Sequence, residues 1–347
     1  MKFLKNTIAT GLLFLMITSC KKGESKPAEA PSNLAITTHV STDGSGTVNF
    51  TATADNAVSY LFDFGNGEAK TATTGNLTYT YTAEGYTSYT VTVTATGSGG
   101  QTTKKSFTVS VYIKPAVPTL LWSDEFNTDG PPDPAKWGYD IGTGGNGWGN
   151  NELEYYTNRP ENSIVQNGVL KIKAIKESYS GSGYTSARIL SQNKFAFTYG
   201  TVEFRAKLPA GVGTWPALWT LGSNVSTVGW PACGEMDVME MIGRDLNKIF
   251  GTLHYPGRSG GNADGSTTVI SNASTQFHTY SMEWTPSIIK ISVDSMVYHT
   301  VVNTTSLPFN HDFFLIMNIA IGGNFGGDVD PAFVSDSMEV DYVRVYK

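Results

Sequence analysis

Cysteine and cationic residues are both scarce in this sequence. Its 347 residues include two cysteines, Cys20 and Cys233, which are too few for a disulfide framework. Lys and Arg number 24 against 30 Asp and Glu, the net charge is −6, and no basic stripe is present. Nucleic acid is therefore not a predicted partner. Long helical patterns are absent as well, which favours an all-β class.

A long hydrophobic segment is also missing, apart from one short run at the start of the chain. Two lysines precede an apolar stretch from about Ile8 to Ile17, which is too short to span a bilayer. We predict a signal peptide over residues 1–19. Its end, "ITSC", resembles the lipobox of bacterial lipoproteins. This resemblance implies lipidation at Cys20 and a secreted, membrane-anchored protein that faces the periplasm or the exterior. An ordinary signal peptide with an incidental cysteine is the alternative.

Glycine, aromatic residues and small polar residues are abundant instead. The sequence holds 37 Gly and 12% Phe, Trp and Tyr, and turn residues separate short alternating segments such as "GTVNFTATA" and "VLKIKAIKE". This balance indicates a secreted all-β protein. Composition divides the chain into a flexible tether over 20–33, a first domain over 34–112, a proline-containing linker over 113–119 and a second domain over 120–347.

The first domain has the pattern of a small β-sandwich. "YLFDFGNGE" and "YTYTAEGYTSYTVTVTAT" resemble the polycystic-kidney-disease (PKD) type of immunoglobulin-like domain, which is common on bacterial polysaccharide-degrading enzymes. The usual Trp-Asp-Phe-Gly-Asp-Gly of that family reads "FDFGNG" at residues 62–67. Another seven-stranded sandwich is the alternative, and in either case the predicted role is that of a spacer.

The stretch "GEMDVMEMIG" places three acids within an apolar run of the second domain. Carboxylates are seldom buried without a partner, so the acids need an explanation. Strand side chains alternate between faces, so in a regular strand Glu235 and Asp237 would point one way and Glu240 the other. One extra residue in a β-bulge between Asp237 and Glu240 would return Glu240 to the face of Glu235. We therefore predict a bulged strand with three acids on one concave face.

Three neighbouring carboxyl groups repel one another, and at least one should hold a proton near neutral pH. Retaining glycosidases use two carboxyl groups about 5–5.5 Å apart, one as nucleophile and one as acid/base. A third carboxyl between them can keep the two pKa values apart. Spacing alone leaves a calcium site or a solvated face as alternatives. Cys233 lies two residues before Glu235, and we interpret it as a small buried hydrophobe rather than as a nucleophile.

Aromatic residues accompany the acids, as a groove that stacks on pyranose rings requires. "TWPALW" contains Trp215 and Trp219, Trp230 lies five residues before Glu235, and "GWGNNELEYYT" forms a Gly-rich segment. Together with "LLWSDEFN", "FGTLHYPG", "IMNIAIGGNFGG" and "MEVDYVRVYK", these motifs resemble glycoside hydrolase family 16. The resemblance is to its laminarinase-like endo-β-1,3-glucanases and covers essentially all of 120–347.

The resemblance implies a concanavalin-like β-jelly roll with a substrate cleft. It implies that Glu235 is the nucleophile, Asp237 its assistant and Glu240 the acid/base. The family positions that line the cleft correspond to Asn150, Arg205, Trp215, Trp219 and His254, and Trp230 is a further predicted wall. For Arg205 and His254 the alternatives are a strand-edge charge and a satisfied polar residue.

The sequence departs from the family's pattern at two positions. Phe325 stands where the family often has Trp, and Glu154 where Gln is common. Many members also bind a structural calcium ion, and Glu125, the carbonyl of Gly168 and Asp341 match that site. An ordinary pair of strand-end acids is the alternative. No cofactor is expected for catalysis.

The predicted reaction is endo-hydrolysis of β-1,3-linked glucan with retention, by a chain expected to be a monomer. Mixed-linkage glucan, or an agar-type or carrageenan-type galactan, is an alternative substrate for the same chemistry. A surface glycan-binding lipoprotein without hydrolysis is the alternative from another class. The three acids argue against it, because a groove that only binds does not need closely packed carboxylates.

Overall fold

The computed structural model describes residues 28–115 and 117–347. The predicted signal peptide, the lipidation site Cys20 and the first part of the predicted tether lie outside the described residues. The chain divides into two compact units, with the boundary after Val117, and each is described separately. Within the described ranges, no helix has the length and apolar character needed to cross a membrane.

Alternating apolar and hydroxyl-bearing residues form the strands of the N-terminal unit. Their bounds are β1 (Ser32–Val40), β2 (Thr47–Asp55), β3 (Ala57–Asp63), β4 (Ala69–Ala72), β5 (Asn76–Thr80), β6 (Gly85–Gly97) and β7 (Thr102–Ile113). One sheet has the order β1-β2-β5 and the other β4-β3-β6-β7. This is the predicted β-sandwich.

An aromatic core lies between those two sheets. Phe62 and Phe64 are fully buried, and each ring centroid is 5.8 Å from that of Phe50. The turn that follows requires glycine, since Gly65 has φ of +76° and a Cβ there would lie 2.4 Å from the carbonyl oxygen of Thr90. The segment "FDFGNG" therefore combines two core rings with a turn that closes directly on the sheet.

The second unit is built from strands and a few short helical turns. The strands are β8 (Leu120–Asp124), β9 (Gly138–Asp140), β10 (Glu154–Tyr156), β11 (Ser163–Gln166), β12 (Val169–Tyr179), β13 (Ser182–Ser186), β14 (Arg188–Leu190), β15 (Gly200–Lys207), β16 (Thr214–Gly222), β17 (Glu235–Glu240), β18 (Lys248–His254), β19 (Asp264–Val269), β20 (His278–Trp284), β21 (Ile288–Val293), β22 (Met296–Val302), β23 (Phe313–Ile321) and β24 (Ser335–Tyr346). The helical turns are α1 (Val225–Val228), α2 (Gly323–Gly326), a π-turn over Gly147–Asn151 and a 3-10 turn over Gly260–Asn262.

Two large sheets pack against each other in this unit, which is a concanavalin-like β-jelly roll. The seven-stranded sheet has the order β19-β18-β17-β16-β23-β14-β9. The ten-stranded sheet follows β10-β13-β12-β24-β15-β20-β21-β22, with β11 beside β12 and β8 beside β24. Val202 and Phe204 of one sheet share a core with Leu218 and Met236 of the other. Because side chains alternate along a strand, the residues between these core positions point to the other face of each sheet.

Strand β23 is covered on both of its faces. All nine of its residues, Phe313–Ile321, are buried. Leu315 belongs to the main core, whereas Phe314 and Ile316 pack with Trp219 in a smaller cluster on the opposite face. A strand held from both sides has little freedom to shift, so it fixes the positions of groups on its neighbours.

Candidate active site

A β-bulge in β17 brings three acids onto one face of the seven-stranded sheet. Asp237 pairs with Thr252 of β18 and Glu240 with Phe250, so three steps along β17 match two along β18. The pairing of β17 with β16 shifts in the same region. The predicted bulge is confirmed, and it returns Glu240 to the face that carries Glu235 and Asp237.

Neighbouring segments donate hydrogen bonds to two of the acids. Trp230, in the loop before β17, donates its indole N–H to Glu235 Oε2 at 3.0 Å. Trp215 of β16 donates to Glu240 Oε1 at 2.9 Å, and the Thr252 hydroxyl of β18 donates to Oε2 at 3.3 Å. The structure thus brings Trp215 and Trp230, two of the predicted binding residues, into contact with the acids. These donors favour the charged form of each carboxyl group.

His254 of β18 faces Glu235 and Asp237 from the adjoining strand. Its Nε2 lies 3.2 Å from Asp237 Oδ2 and 3.7 Å from Glu235 Oε1. The backbone N–H of Gly260 donates to Nδ1 at 3.1 Å, so in the neutral ring the hydrogen resides on Nε2. Atoms of the three side chains lie within 4.8 Å of one another, as metal ligands would. A protonated Nε2 has no lone pair for a metal, and it forms no aligned hydrogen bond to either acid, so His254 lies beside the acids without ligating or bonding to them in this arrangement.

Burial raises the pKa of both Glu235 and Asp237. The pKa of Glu235 rises to about 8, because burial and the Asp237 charge outweigh the favourable charges of His254 and Arg188. The pKa of Asp237 lies well above its usual range because of burial and the charge of Glu240. Among the described residues, no aligned donor reaches Asp237 Oδ2. Asp237 therefore favours its neutral, protonated form.

Glu240 experiences a more balanced environment. Burial raises its pKa, whereas the Trp215 donor, His254 and Thr252 oppose that rise. Its titration is coupled to that of its neighbours, so the protons of the cluster are shared among three groups. Carboxyl groups with such different surroundings are suited to separate acid and base roles.

A cation and two tryptophans extend this face beyond the acids. Trp219 of β16 is paired in register with Asp237. Arg188 of β14 lies between Trp219 and Trp148, 4.8 and 4.6 Å from their ring centroids. Trp219 also donates to Asn318 Oδ1 of β23 at 2.8 Å. Arg188 and Asn318 were not predicted from the sequence, because only the pairing of β14 with β23, and of β23 with β16, places them here.

Asn150 lies in the π-turn before β10. Its side-chain amide donates to Glu152 Oε1 at 3.1 Å. The π-turn touches α2, since a Cβ on Gly323 would lie 2.7 Å from the carbonyl oxygen of Asn150. Helix α2 carries Phe325, whose ring centroid is 5.3 Å from that of Trp215. Asn150 is therefore connected to the acid-bearing face through α2.

The prediction that Arg205 lines the same cleft as the acids is wrong. Arg205 is on β15, which belongs to the ten-stranded sheet. Its neighbours Phe204 and Ala206 are fully buried in the core, so Arg205 points to the outer side of that sheet. There it pairs with Asp341 at 2.5 Å and lies 5.0 Å from the Phe277 ring. The cation beside the acids is Arg188.

The residues predicted to hold calcium are engaged by arginines. Arg344 donates two hydrogen bonds to the Glu125 carboxylate, at 3.0 and 2.8 Å. The carboxylate of Asp341 is the partner of Arg205. Gly168, the third predicted ligand, lies in the turn between β11 and β12. Two guanidinium groups thus neutralise both carboxylates, and these side chains as arranged do not fit a calcium site.

Cys233 is fully buried in the turn before β17. It packs in the cluster that contains Trp219 and Phe314. Burial raises the pKa of its thiol to about 11, and the charge of Glu235 adds to this rise. The thiol therefore stays protonated at neutral pH, in agreement with the interpretation of Cys233 as a small buried hydrophobe.

The second unit is similar to known proteins over nearly its whole length. Residues 150–344 match the family model described as glycosyl hydrolases family 16. The laminarinase from Rhodothermus marinus is 45% identical in sequence; the match covers 67% of this chain and 98% of that one, with a TM-score of 0.64. The chain belongs to glycosyl hydrolases family 16. Its N-terminal unit matches the PKD domain model over residues 27–111.

Two further relatives of this family 16 chain are informative. LamA from Zobellia galactanivorans, solved as a variant in complex with laminaritriose and laminaritetraose, is 45% identical. That match covers 66% of this chain and 99% of that one, with a TM-score of 0.61. The glucan endo-1,3-beta-glucosidase A1 of Niallia circulans is 40% identical over 66% of this chain and 38% of the relative. The predicted family and fold class are confirmed.

The acid cluster of this family 16 chain should lower its stability at alkaline pH. The folded-state pKa of Glu235 is about 8 against an ordinary value of 4.5. The stability linked to its proton is therefore complete below about pH 4.5 and is lost as the pH rises through about 8. Glu235→Gln, which stays neutral, should raise the melting temperature by several degrees at pH 9 and change it little at pH 4.

Calorimetry of both proteins across this pH range provides the measurement. Glu339→Gln is the matched control, because Glu339 is an outward carboxylate paired with Lys207 at 3.0 Å. Its substitution should not stabilise the protein at either pH. A Glu235→Gln variant that is equally or less stable than the original at pH 9 would contradict the assigned burial penalty.

Proposed function

We propose that this family 16 chain is an endo-β-1,3-glucanase that acts with retention of configuration. The observation that supports it most is the set of three buried carboxyl groups on one bulged strand, beside tryptophans that face the same side. Burying such a cluster is costly, and carboxyl groups with raised pKa values are suited to acid–base and nucleophilic chemistry. The names of the relatives, laminarinase and glucan endo-1,3-beta-glucosidase, support β-1,3-glucan as the substrate.

Glu235 is the proposed nucleophile. The indole N–H of Trp230 and the positive charges of His254 and Arg188 favour its ionised form. The raised pKa of Asp237 favours its neutral form, in which it can assist without adding a second negative charge next to the nucleophile. When Glu235 attacks the anomeric carbon, a covalent glycosyl-enzyme forms.

Glu240 is the proposed acid/base. It protonates the glycosidic oxygen as the bond to the leaving sugar breaks, and it then accepts a proton from the water that releases the glycosyl-enzyme. Trp215 and Thr252 fix its two oxygens in place. A positioned carboxyl group is required because the same residue must act in both steps.

The aromatic residues of the same face form the proposed sugar-binding surface. Trp215, Trp219 and Trp230 each direct the indole N–H to a protein acceptor. The half-buried Trp215 and the exposed Trp230 have ring surface for pyranose rings, whereas the buried Trp219 supports this face from below. Arg188, between two indoles, is the additional group that we propose contacts sugar hydroxyls. Asn150 is proposed to do so from the π-turn.

The first test is hydrolysis of three polymers by the purified protein. We expect release of mixed short oligosaccharides from laminarin, with the β-anomer formed first when NMR follows the products. Cleavage of mixed-linkage glucan or agarose instead would overturn the substrate, and the α-anomer as first product would overturn retention. Tight binding of laminarin without products would favour a glycan-binding protein.

Two substitutions separate the roles of the acids in that assay. Glu235→Gln should lower kcat by about a thousandfold or more on every substrate, because no nucleophile remains. Glu240→Gln should retain much more activity on an aryl β-glycoside with an acidic leaving group, which needs no protonation to depart. Equal losses for both variants on the activated substrate would contradict this assignment.

The hydrogen bond from Trp215 should set the alkaline limit of activity. Glu240 must carry a proton to act as the acid, so activity falls as the pH rises through its pKa. Trp215→Phe removes a donor that lowers this pKa, so the alkaline limb of kcat should move to higher pH, by about one unit.

Trp219→Phe is the matched control for this shift. Its indole N–H donates to Asn318 and not to any of the acids, so the alkaline limb should stay in place even where KM changes. A shift in the Trp219 variant, or an unchanged limb in the Trp215 variant, would contradict the assigned effect of the Trp215 bond.

Lipidation at Cys20, with membrane anchoring, is proposed from the sequence alone. Its support is the "ITSC" sequence that ends the apolar run. Cys20→Ala should release the protein from the membrane fraction of a bacterial host that processes lipoproteins. A protein that remains in the membrane fraction after this substitution would count against the anchor.

A further inference from the structure

A second buried carboxyl group lies outside the catalytic cluster. Glu154, the first residue of β10, is completely buried. Its Oε2 accepts a hydrogen bond from the backbone N–H of Ile321 at 2.6 Å. Its Oε1 has no hydrogen-bond donor among the described residues. An ionised Glu154 would therefore leave a charged oxygen buried and unsatisfied, which is costly.

The group beside Glu154 is another carboxyl group, that of Glu152. Glu152 already accepts hydrogen bonds on both oxygens, from Asn150 Nδ2 at 3.1 Å and from the Tyr156 hydroxyl at 3.2 Å. Both oxygens of Glu152 therefore act as acceptors towards other residues. Protonation of Glu154 resolves the conflict, because its O–H can then donate to Glu152. Burial first, and then the charge of Glu152, raise the pKa of Glu154 well above its usual range.

The pair connects to the proposed cleft through two routes. One route runs through Glu152 to Asn150 in the π-turn, which touches the α2 turn that carries Phe325. An isolated β-bridge between Glu152 and Gly322 joins the segment after the π-turn to the residue before α2. Phe325 packs against Trp215, the donor to the proposed acid/base. A movement of Glu152 and Glu154 would therefore be transmitted through α2 to the position of Trp215.

The second route runs along β10 and β23. The Tyr156 hydroxyl donates to Glu152 and accepts a hydrogen bond from Asn318 Nδ2 at 3.0 Å. Asn318 in turn accepts the indole N–H of Trp219. Two hydrogen bonds thus fix the orientation of the Asn318 amide, one from its Nδ2 to Tyr156 and one from Trp219 to its Oδ1. This network fixes the orientation of the Trp219 ring beside the acid-bearing strand.

We propose that Glu154 is a positioning residue that works as a neutral carboxylic acid, holding Glu152 and with it the cleft-side residues Asn150 and Trp219. This inference rests on the proposed function. The titratable groups that face Glu154 are Glu152 and Tyr156 on its own segment and Tyr184, its register partner on β13. Strand β23 contributes the backbone N–H of Ile321.

This arrangement has a defined pH dependence. Since the folded-state pKa of Glu154 is raised, the stability linked to its proton is complete below the ordinary glutamate pKa and is lost as the pH rises through the raised value. Above that pH, two adjacent carboxylates repel each other and the π-turn loosens. Substrate binding should weaken, so KM for laminarin should rise at alkaline pH by about threefold or more.

Glu154→Gln is the test, because the amide keeps an acceptor for Ile321 and gains a permanent N–H donor for Glu152. We expect kcat and KM close to those of the original protein at pH 7, and a much smaller rise of KM between pH 7 and pH 9. Glu154→Leu, which keeps neither bond, should have a raised KM at both pH values. An unchanged alkaline rise of KM in the Gln variant, or a tenfold loss of kcat/KM at pH 7, would overturn the proposal.

A second readout keeps this test separate from the proposed function. The melting temperature of the Gln variant should exceed that of the original protein increasingly as the pH rises from 6 to 9, whatever polymer the protein acts on. The variant Glu152→Gln should also reduce this dependence, because it removes the facing charge. Parallel melting curves for all three proteins would overturn the neutral-acid assignment even if laminarin is hydrolysed.

Discussion

Repulsion between Glu235, Asp237 and Glu240 is the constraint on which the acid-bearing face depends. The bulge in β17 places all three on one side of the sheet, where burial raises the pKa of each. The neighbouring donors partly offset this rise at the outer two carboxyl groups and not at Asp237. Trp230 donates to Glu235 at one end and Trp215 to Glu240 at the other. Asp237, which lies between the two residues with opposite proposed tasks, therefore favours its neutral form.

The tryptophans of this face combine two properties of the indole ring. The N–H edge of each points to a protein acceptor, which is a carboxylate for Trp215 and Trp230 and an amide for Trp219. A ring held by its edge keeps its face at a fixed angle, so the same hydrogen bond that adjusts an acid also orients the proposed sugar-binding surface. Arg188 lies between Trp219 and Trp148 in the same layer. The electrostatics of the acids and the proposed substrate stacking are therefore coupled in one layer of side chains.

The sequence allowed prediction of features that depend on local periodicity, and failed where long-range pairing decides. The bulge followed from the spacing of Glu235, Asp237 and Glu240, since a regular strand would separate them. Arg205 was placed in the cleft from the family resemblance, and the alternation of its segment could not correct this, because alternation does not reveal which sheet a strand joins. Arg188 was missed for the same reason. The engagement of Glu125 and Asp341 by arginines from distant segments was equally invisible to spacing.

Strand β23 explains how two groups of buried carboxyls can coexist in this unit, one on β17 of its own sheet and one on β10 of the ten-stranded sheet. It is buried on both faces and lies between β16 and β14, so its backbone cannot move to relieve repulsion. At its end the N–H of Ile321 holds Glu154, and at its middle Asn318 holds Trp219. Repulsion between carboxylates at either place is then relieved by proton uptake rather than by movement of the backbone, because proton uptake costs less free energy than opening a close-packed core. The rigidity of β23 thus keeps the proposed catalytic acids close together. As a result, the geometry of the face depends on the protonation of these acids and of Glu154.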